Sequence, residues 1–234
     1  MSDLHTRSGL VVRGGWEGHS PVEATESFLP FLKAEGFEVR VEDTTEVYTD
    51  RDYMATVDLV VQCNTMNTIE GAEFTGLAEA VTAGTGLAGW HGGIADAYRS
   101  TADYLHLIGG QFAHHPIKAP RTELTGDGDH DVRYTVNIVP TMADHTIVAG
   151  IADFELVTEQ YWVLTDEYND VLATTTLAAR DFDPWHRPVT CPAVWTREWG
   201  EGRVFVTTAG HSLDVLADAN VRTIIERGML WASR

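Results

Sequence analysis

Residues 57–62, Val-Asp-Leu-Val-Val-Gln, form a nearly continuous apolar run that is far too short to span a membrane. A strand with one face in water would alternate, so this run fits a strand covered on both faces, the place a parallel sheet gives its inner strands. The flanking sequence has the matching rhythm. Residues 10–13 read as a first strand closing at Gly14-Gly15, residues 37–41 as a second, and residues 85–90 as a fourth. Between them, residues 22–35 carry Phe28, Leu29, Phe31 and Leu32 and close at Gly36, and residues 72–83 form a further helical segment. Pro30 inside the first of these disfavours a straight helix, because it lacks an N–H and its ring crowds the preceding turn. Strand and helix in alternation predict βαβ units and a parallel sheet.

The fourth strand runs through Gly89-Trp90-His91-Gly92-Gly93 into residues 95–108, whose Tyr98, Ala102 and Leu105 fall on one helical face. Strand, tight turn among small residues, then helix is the form of a nucleophile elbow, with His91 at its apex. Imidazole there serves as base, acid or metal ligand, but it is not the serine or cysteine of covalent acyl transfer. The same five residues also suit a glycine-rich turn whose histidine caps a helix. Farther on, residues 132–139 and 156–164 read as strands, with a Gly/Asp-rich connection at 125–131 and a polar stretch at 181–192. Residues 193–199 and 203–208 flank Gly200-Glu201-Gly202 as a hairpin-like pair ending at Gly210-His211. Val221, Ile224, Ile225, Gly228 and Met229 mark the apolar stripe of a last helix. With no repeat or linker, residues 1–234 read as one α/β domain, a three-layer fold with a mostly parallel central sheet and helices on both faces.

Acidic residues outnumber basic ones 35 to 16, a formal charge of −19. Such a surface repels phosphate backbones and anionic headgroups, so neither nucleic acid nor membrane is an expected partner. The beginning, MSDLHTRSGL, is polar and has no signal-peptide apolar region, which predicts a cytoplasmic protein. A homo-oligomer is compatible with this composition. The two cysteines, Cys63 and Cys191, read as ordinary free thiols.

Ligands of open parallel sheets bind at the carboxyl ends of the strands. His19, Asn64, His91 and His211 each follow a predicted strand, and the topology directs all four to one rim. His19 lies in Gly15-Trp16-Glu17-Gly18-His19-Ser20-Pro21, where Ser20 suits a helix cap and Pro21 a first helical position. Trp16 and Trp90 flank these loops and read either as faces for a sugar ring or as core. Asp96 and Arg99 suit a helix dipole and an i,i+3 pair. His106 and the remaining tryptophans read as packing, whereas His130 and His186 lie in polar loops without an assigned partner.

Taken together, the 89–93 elbow, Gly110-Gln111-Phe112-Ala113-His114-His115-Pro116, Glu159-Gln160-Tyr161, Gly202-Arg203-Val204-Phe205 before Gly210-His211, and Arg227-Gly228-Met229-Leu230-Trp231-Ala232 resemble the ThuA-like, or trehalose-utilisation, family over most of the chain. The resemblance implies a class I glutamine-amidotransferase-like, flavodoxin-like fold and a role in carbohydrate catabolism, including the processing of 3-keto-disaccharides. Its matching positions are His19, His91, Glu159, Tyr161 and His211, with His115 a better match than the surface residue His114. The glutaminase of the amidotransferase fold needs a cysteine where His91 stands, so that activity is not expected.

Three histidines and a carboxylate suit a divalent metal such as Zn²⁺, with His19, His91, Glu159 and His211 as ligands. His91, Glu159 and Tyr161 are the expected catalytic groups, and Trp16, Asn64, Trp90 and His115 the expected contacts for a small sugar. The leading expectation is a hydrolase or lyase acting on an oxidised, 3-keto glycoside of the trehalose type. A non-catalytic sugar-binding or regulatory protein on the same fold, and a hydrolase working through Cys63, are the alternatives.

Overall fold

The apolar run at 57–62 lies at the start of an inner strand, β3 (Leu59–Thr65), every residue of which is buried. In the computed structural model, which describes residues 6–126 and 128–234, β3 is third in a nine-stranded sheet. The polar start of the chain, Met1 to His5, and Asp127 of the Gly/Asp-rich connection lie outside the described residues.

The first half of the chain lays down β1 (Arg7–Gly15), α1 (Pro21–Glu26), α2 (Leu29–Ala34), β2 (Phe37–Glu42) and α3 (Arg51–Met54) ahead of β3. Then come α4 (Gly71–Thr82), β4 (Gly86–Trp90), α5 (Gly92–Ala95), α6 (Ala102–Ile108) and β5 (Gly110–His114). The second half supplies β6 (Asp131–Ile138), β7 (Phe154–Glu159), β8 (Trp162–Thr165), β9 (Asp170–Leu177), β10 (Val189–Trp199) and β11 (Gly202–Thr207), closing with α7 (Leu213–Ala217) and α8 (Ala219–Ala232). The sheet order is β2-β1-β3-β4-β11-β10-β9-β6-β7, and β5 pairs separately with β8. The first five strands in that order are parallel, and the remaining four extend the sheet antiparallel.

Side-chain alternation along β3 divides the core into two layers. Leu59, Val61 and Cys63 join Phe28, Leu32, Ile224 and Met229 on one face. Val60 joins Leu77, Val81 and Leu107 on the other. The three-layer α/β architecture is therefore as expected, with α1, α2 and α8 covering one side and α4 and α6 the other.

Several boundaries differ from the sequence reading, each for a local reason. Residues 22–35 form two short helices, because Pro30 sits in the first turn of α2 and a proline is tolerated there but not in a helix interior. Residues 95–108 likewise divide, with α5 ending at Ala95 and α6 starting at Ala102. Residues 156–164 are two strands in different sheets, broken at Gln160-Tyr161. Strands β5 and β9 were not expected. The first is short and ends in a histidine, and the second is threonine-rich, so neither offers a marked apolar alternation. Among the described residues, no helix is long and apolar enough to cross a membrane.

Close packing of α4 gives a direct test. A Cβ at Gly76 would lie 1.8 Å from the backbone oxygen of Tyr48. In an exposed helix Gly→Ala stabilises by up to about 1 kcal/mol. Here the clash with backbone reverses the sign, and Gly76→Ala is expected to lose about 1–3 kcal/mol. Urea denaturation checks this, since a midpoint equal to or above that of the parent protein contradicts the packing described.

Candidate functional site

The polypeptide leaves β4 at Trp90 and reverses at His91, whose φ of 47° and ψ of −138° lie where L-residues rarely go. Such a conformation costs about 1–3 kcal/mol and persists only when its surroundings fix it. Its N–H donates to the Thr207 carbonyl of β11 (2.7 Å), and its carbonyl accepts from Ala95 N–H (2.9 Å) as α5 begins. The flanking glycines let the turn sit against its neighbours. A Cβ on Gly92 would come 2.6 Å from the His19 ring, and one on Gly93 would come 2.7 Å from the Cα of Cys63. Below the turn, Tyr104 donates its hydroxyl to the Ile94 carbonyl (2.8 Å), and Gln62 Nε2 donates to Gly93 O (3.4 Å). Gly-x-His-Gly-Gly is thus the requirement of an elbow pressed onto β3 and onto the His19 loop.

His91 Nδ1 is 2.8 Å from the Thr208 carbonyl, an acceptor only, so this nitrogen carries the ring proton. Nε2 then presents its lone pair, and it faces Glu159 Oε2 at 3.2 Å. Burial lowers the His91 pKa, although the nearby Glu159 carboxylate opposes this. Burial also disfavours ionisation of Glu159, but the adjoining His211 outweighs it and holds the carboxyl well below the usual range. An imidazole lone pair and a carboxylate oxygen thus point at each other in a buried place.

His19 reaches the same point from the 3-10 turn Glu17–His19 after β1. Its Nδ1 lies 3.0 Å from Thr65 Oγ1, while Nε2 is buried with no hydrogen-bond partner among the described residues. Burial and then the neighbouring histidines push its pKa down to about 3. His211, beyond β11, brings Nδ1 to 3.3 Å from Glu159 Oε2. Burial works against the His211 proton, but the Glu159 carboxylate prevails and raises the pKa. The ligand atoms of His19, His91, Glu159 and His211 all lie within 4.8 Å of one another. The donor set fits a divalent ion, which takes imidazole and carboxylate ligands. Thr208 O holds the His91 tautomer from behind, and Thr65 Oγ1 contacts the far nitrogen of His19, as second-layer partners of metal ligands do.

Tyr161 packs against His91 with the rings tilted by 31° and their centroids 4.1 Å apart, and it is only 2% exposed. Burial, with the Glu159 charge beside it, raises its pKa well above the ordinary value, so it is a neutral phenol. His115 brings Nε2 to 3.8 Å from Glu159 Oε1, the carboxylate oxygen not turned to His91. Burial lowers its pKa to about 4 against the pull of Glu159, and its side chain stays 22% exposed. Trp16 is 48% exposed, with its ring centroid 4.7 Å from that of His19 in a T-shaped contact.

Two expected sugar contacts are placed elsewhere. Trp90, the last residue of β4, turns into the core against Phe28, 4.9 Å between centroids, and offers no face to a ligand. Asn64 is fully buried, and its Oδ1 accepts from Asn67 Nδ2 (2.8 Å), so it ties the loop after β3 instead of lining the rim. Both follow from pleat alternation, which turns some strand-end residues inward.

Asp96 and Arg99 form the ion pair read in the sequence, at 2.5 and 2.6 Å. Sequence reasoning missed His130, whose ring centroid is 3.7 Å from that of His115. It also missed Thr65 and Thr208, whose only signal is their position at the ends of strands that lead to the rim. Cys63 lies under Gly93, fully enclosed, and burial pushes its thiol up to about 12; burial raises Cys191 as well.

A strained elbow at the carboxyl edge of a parallel sheet, crowned by three histidines and a glutamate, defines a three-layer α/β protein with an imidazole–carboxylate cluster at the rim of its sheet. Residues 9–232 match the family described as ThuA, trehalose utilisation, and the chain belongs to that family, which ties it to carbohydrate metabolism. None of the curated proteins matches it significantly. Among solved structures, a ThuA-like protein from Bacteroides uniformis is similar at a TM-score of 0.72 and 16% identity, covering 99% of this chain and 93% of its own. One from Parabacteroides merdae is similar at 0.70 and 16%, covering 97% and 89%. A cytoplasmic protein from Salmonella typhimurium LT2 is similar at 0.62 and 14%, covering 97% and 100%. At such identities the likeness concerns the fold.

The enclosed thiols generate a simple expectation. Iodoacetamide at about pH 8, where an ordinary thiol of pKa ~8.5 is partly ionised, is expected to leave Cys63 and Cys191 unmodified in native protein and to modify both in urea. Rapid native labelling of Cys63, read by intact mass, would revive a cysteine mechanism.

Proposed function

We propose that this protein cleaves an oxidised, 3-keto glycoside of the trehalose type, using His19, His91, Glu159 and His211 to hold a divalent ion such as Zn²⁺. One observation carries the reading. The lone pair of His91 Nε2 and the carboxylate oxygen Glu159 Oε2 face each other at 3.2 Å in a buried place, with His19 Nε2 unpartnered beside them. Only a cation or a proton satisfies such a meeting of acceptors. A bound ion would supply Lewis-acid polarisation of the substrate ketone.

The residues of the chain account for the remaining chemistry. The carbonyl at C3 acidifies the proton on C2. His115, neutral at pH 7 because its pKa is lowered to about 4, offers Nε2 from the partly exposed side of Glu159 and takes that proton. The enediolate electrons form the C1–C2 double bond as the glycosidic C1–O bond breaks, and the departing oxygen takes up a proton. Water then adds across C1–C2, so the net change is hydrolysis. Tyr161 holds the His91 ring in place by packing against it, and Trp16 offers an exposed face to the sugar. The description of the Salmonella neighbour supports a cytoplasmic setting.

Protein prepared without a histidine tag and stripped with chelator is expected to take up one equivalent of Zn²⁺. A gain of about 2.7 kcal/mol in stability is expected when free metal is a hundred times Kd. Glu159→Gln and His91→Ala are each expected to abolish that gain, and a parent protein that takes up no metal overturns the metal assignment.

With 3-keto-trehalose, release of glucose is expected from the parent protein. His91→Ala, Glu159→Ala and His115→Ala are expected to lower turnover by about 10²–10⁴-fold with unchanged circular dichroism. Metal and sugar bound without any glucose release would leave a sugar-binding protein in place of an enzyme.

A further inference from the structure

One cleft beside the site is absorbed by none of this chemistry. It measures about 480 Å³ and is lined by His114, Ile117, Arg121, Phe182, Asp183 and Trp185, among others. Its walls come from the two connections that flank β6 to β9, one following β5 and one preceding β10. The sequence reading assigned His114 to the surface and Trp185 to packing. The structure instead leaves Phe182 37% exposed and Trp185 partly exposed, facing the same space.

These walls are held in position. The indole N–H of Trp185 donates to the Ala178 carbonyl (2.7 Å), and its ring meets Trp162 and His114 edge-on at 5.4 and 6.0 Å. Opposite, Asp183 accepts from both Nε and Nη2 of Arg180 (2.7 and 2.8 Å), and the same guanidinium lies 4.5 Å over the Phe182 ring. Fixed aromatic faces with charged groups at their edges match a pyranose, which has an apolar C–H face and a rim of hydroxyls. The cleft also adjoins the reaction site. His115 Nε2 lies 3.8 Å from Glu159 Oε1, and the His115 ring stacks 6.0 Å from that of His114, which forms the near wall.

We propose that this aromatic cleft is a second sugar subsite, which receives the ring beyond the scissile bond when the first ring lies at the histidine–glutamate cluster. The inference rests on the reading of that cluster as a sugar site. It makes the protein selective for disaccharides over monosaccharides, with Trp185 as the stacking platform and His115 at the junction of the two subsites.

Binding measured by titration calorimetry on the full, metal-free chain tests this with trehalose and glucose as probes, so the readout does not depend on turnover. The parent protein is expected to bind trehalose about tenfold more tightly than glucose, and Trp185→Ala to erase that difference while glucose affinity stays within about twofold. Trp185→Phe keeps an aromatic face and is expected to recover most of the preference, which separates lost stacking from a disturbed loop. Trehalose affinity unchanged in Trp185→Ala but lost in His91→Ala overturns the second subsite and leaves the first intact. Affinity lost in Trp185→Ala but unaffected by His91→Ala overturns the link between the two. No binding of trehalose by the parent protein overturns the second subsite, whereas the sugar reading of the cluster stands or falls on the separate turnover measurement with 3-keto-trehalose.

Discussion

The approach of the His91 turn to β3, with glycine on either side of it, is the constraint on which the site depends. Without side chains at Gly92 and Gly93, the start of α5 lies against Cys63 and the His19 ring, and a Cβ at either position would meet atoms closer than 3 Å. This contact fixes a backbone conformation that would otherwise relax, since a left-handed φ is unfavourable for an L-residue. The bond from His91 N–H to Thr207 O fastens the turn to β11 on one side. Tyr104 and Gln62 support it from below. An imidazole is therefore raised at the sheet edge with its orientation set before any ligand arrives.

Electrostatics complete what the backbone begins. The Thr208 carbonyl dictates which nitrogen of His91 is protonated, and burial keeps the ring neutral, so an electron pair is turned toward Glu159. His211 balances the carboxylate by holding a proton more tightly than an ordinary histidine. A metal ion would take over that balancing role, and proton and metal would compete for the same electron pairs. The other carboxylate oxygen faces His115, whose ring stacks on that of His114 in the wall of the aromatic cleft. The histidine–glutamate cluster, His115 and the aromatic cleft thus follow one another along one edge of the protein.

Much of this was legible in the sequence. The apolar run of β3, the alternation of strands with helices, and the glycine pattern about His91 are local signals with local causes, and each led to the right element or turn. Positions of His19, His91 and His211 after parallel strands pointed to a common rim through topology alone. Tertiary context decided where strand-end side chains turned. Trp90 and Asn64 carry the same chemistry as rim residues, yet pleat direction buried them. Trp185 and His130, in irregular loops, had no periodicity to read, and long-range packing brought them to the edge of the site.

By itself, then, the sequence determined the α/β class and the elbow with histidine at its apex, because these depend on residue type, spacing and the steric demands of neighbours along the chain. Tertiary structure alone decided that Glu159 meets three histidines from distant segments. It also decided that His91 presents a lone pair, since the proton position is set by the Thr208 carbonyl, 117 residues away in the chain. Hydrogen-bond partners and burial are properties of the folded neighbourhood, and no local pattern specifies them.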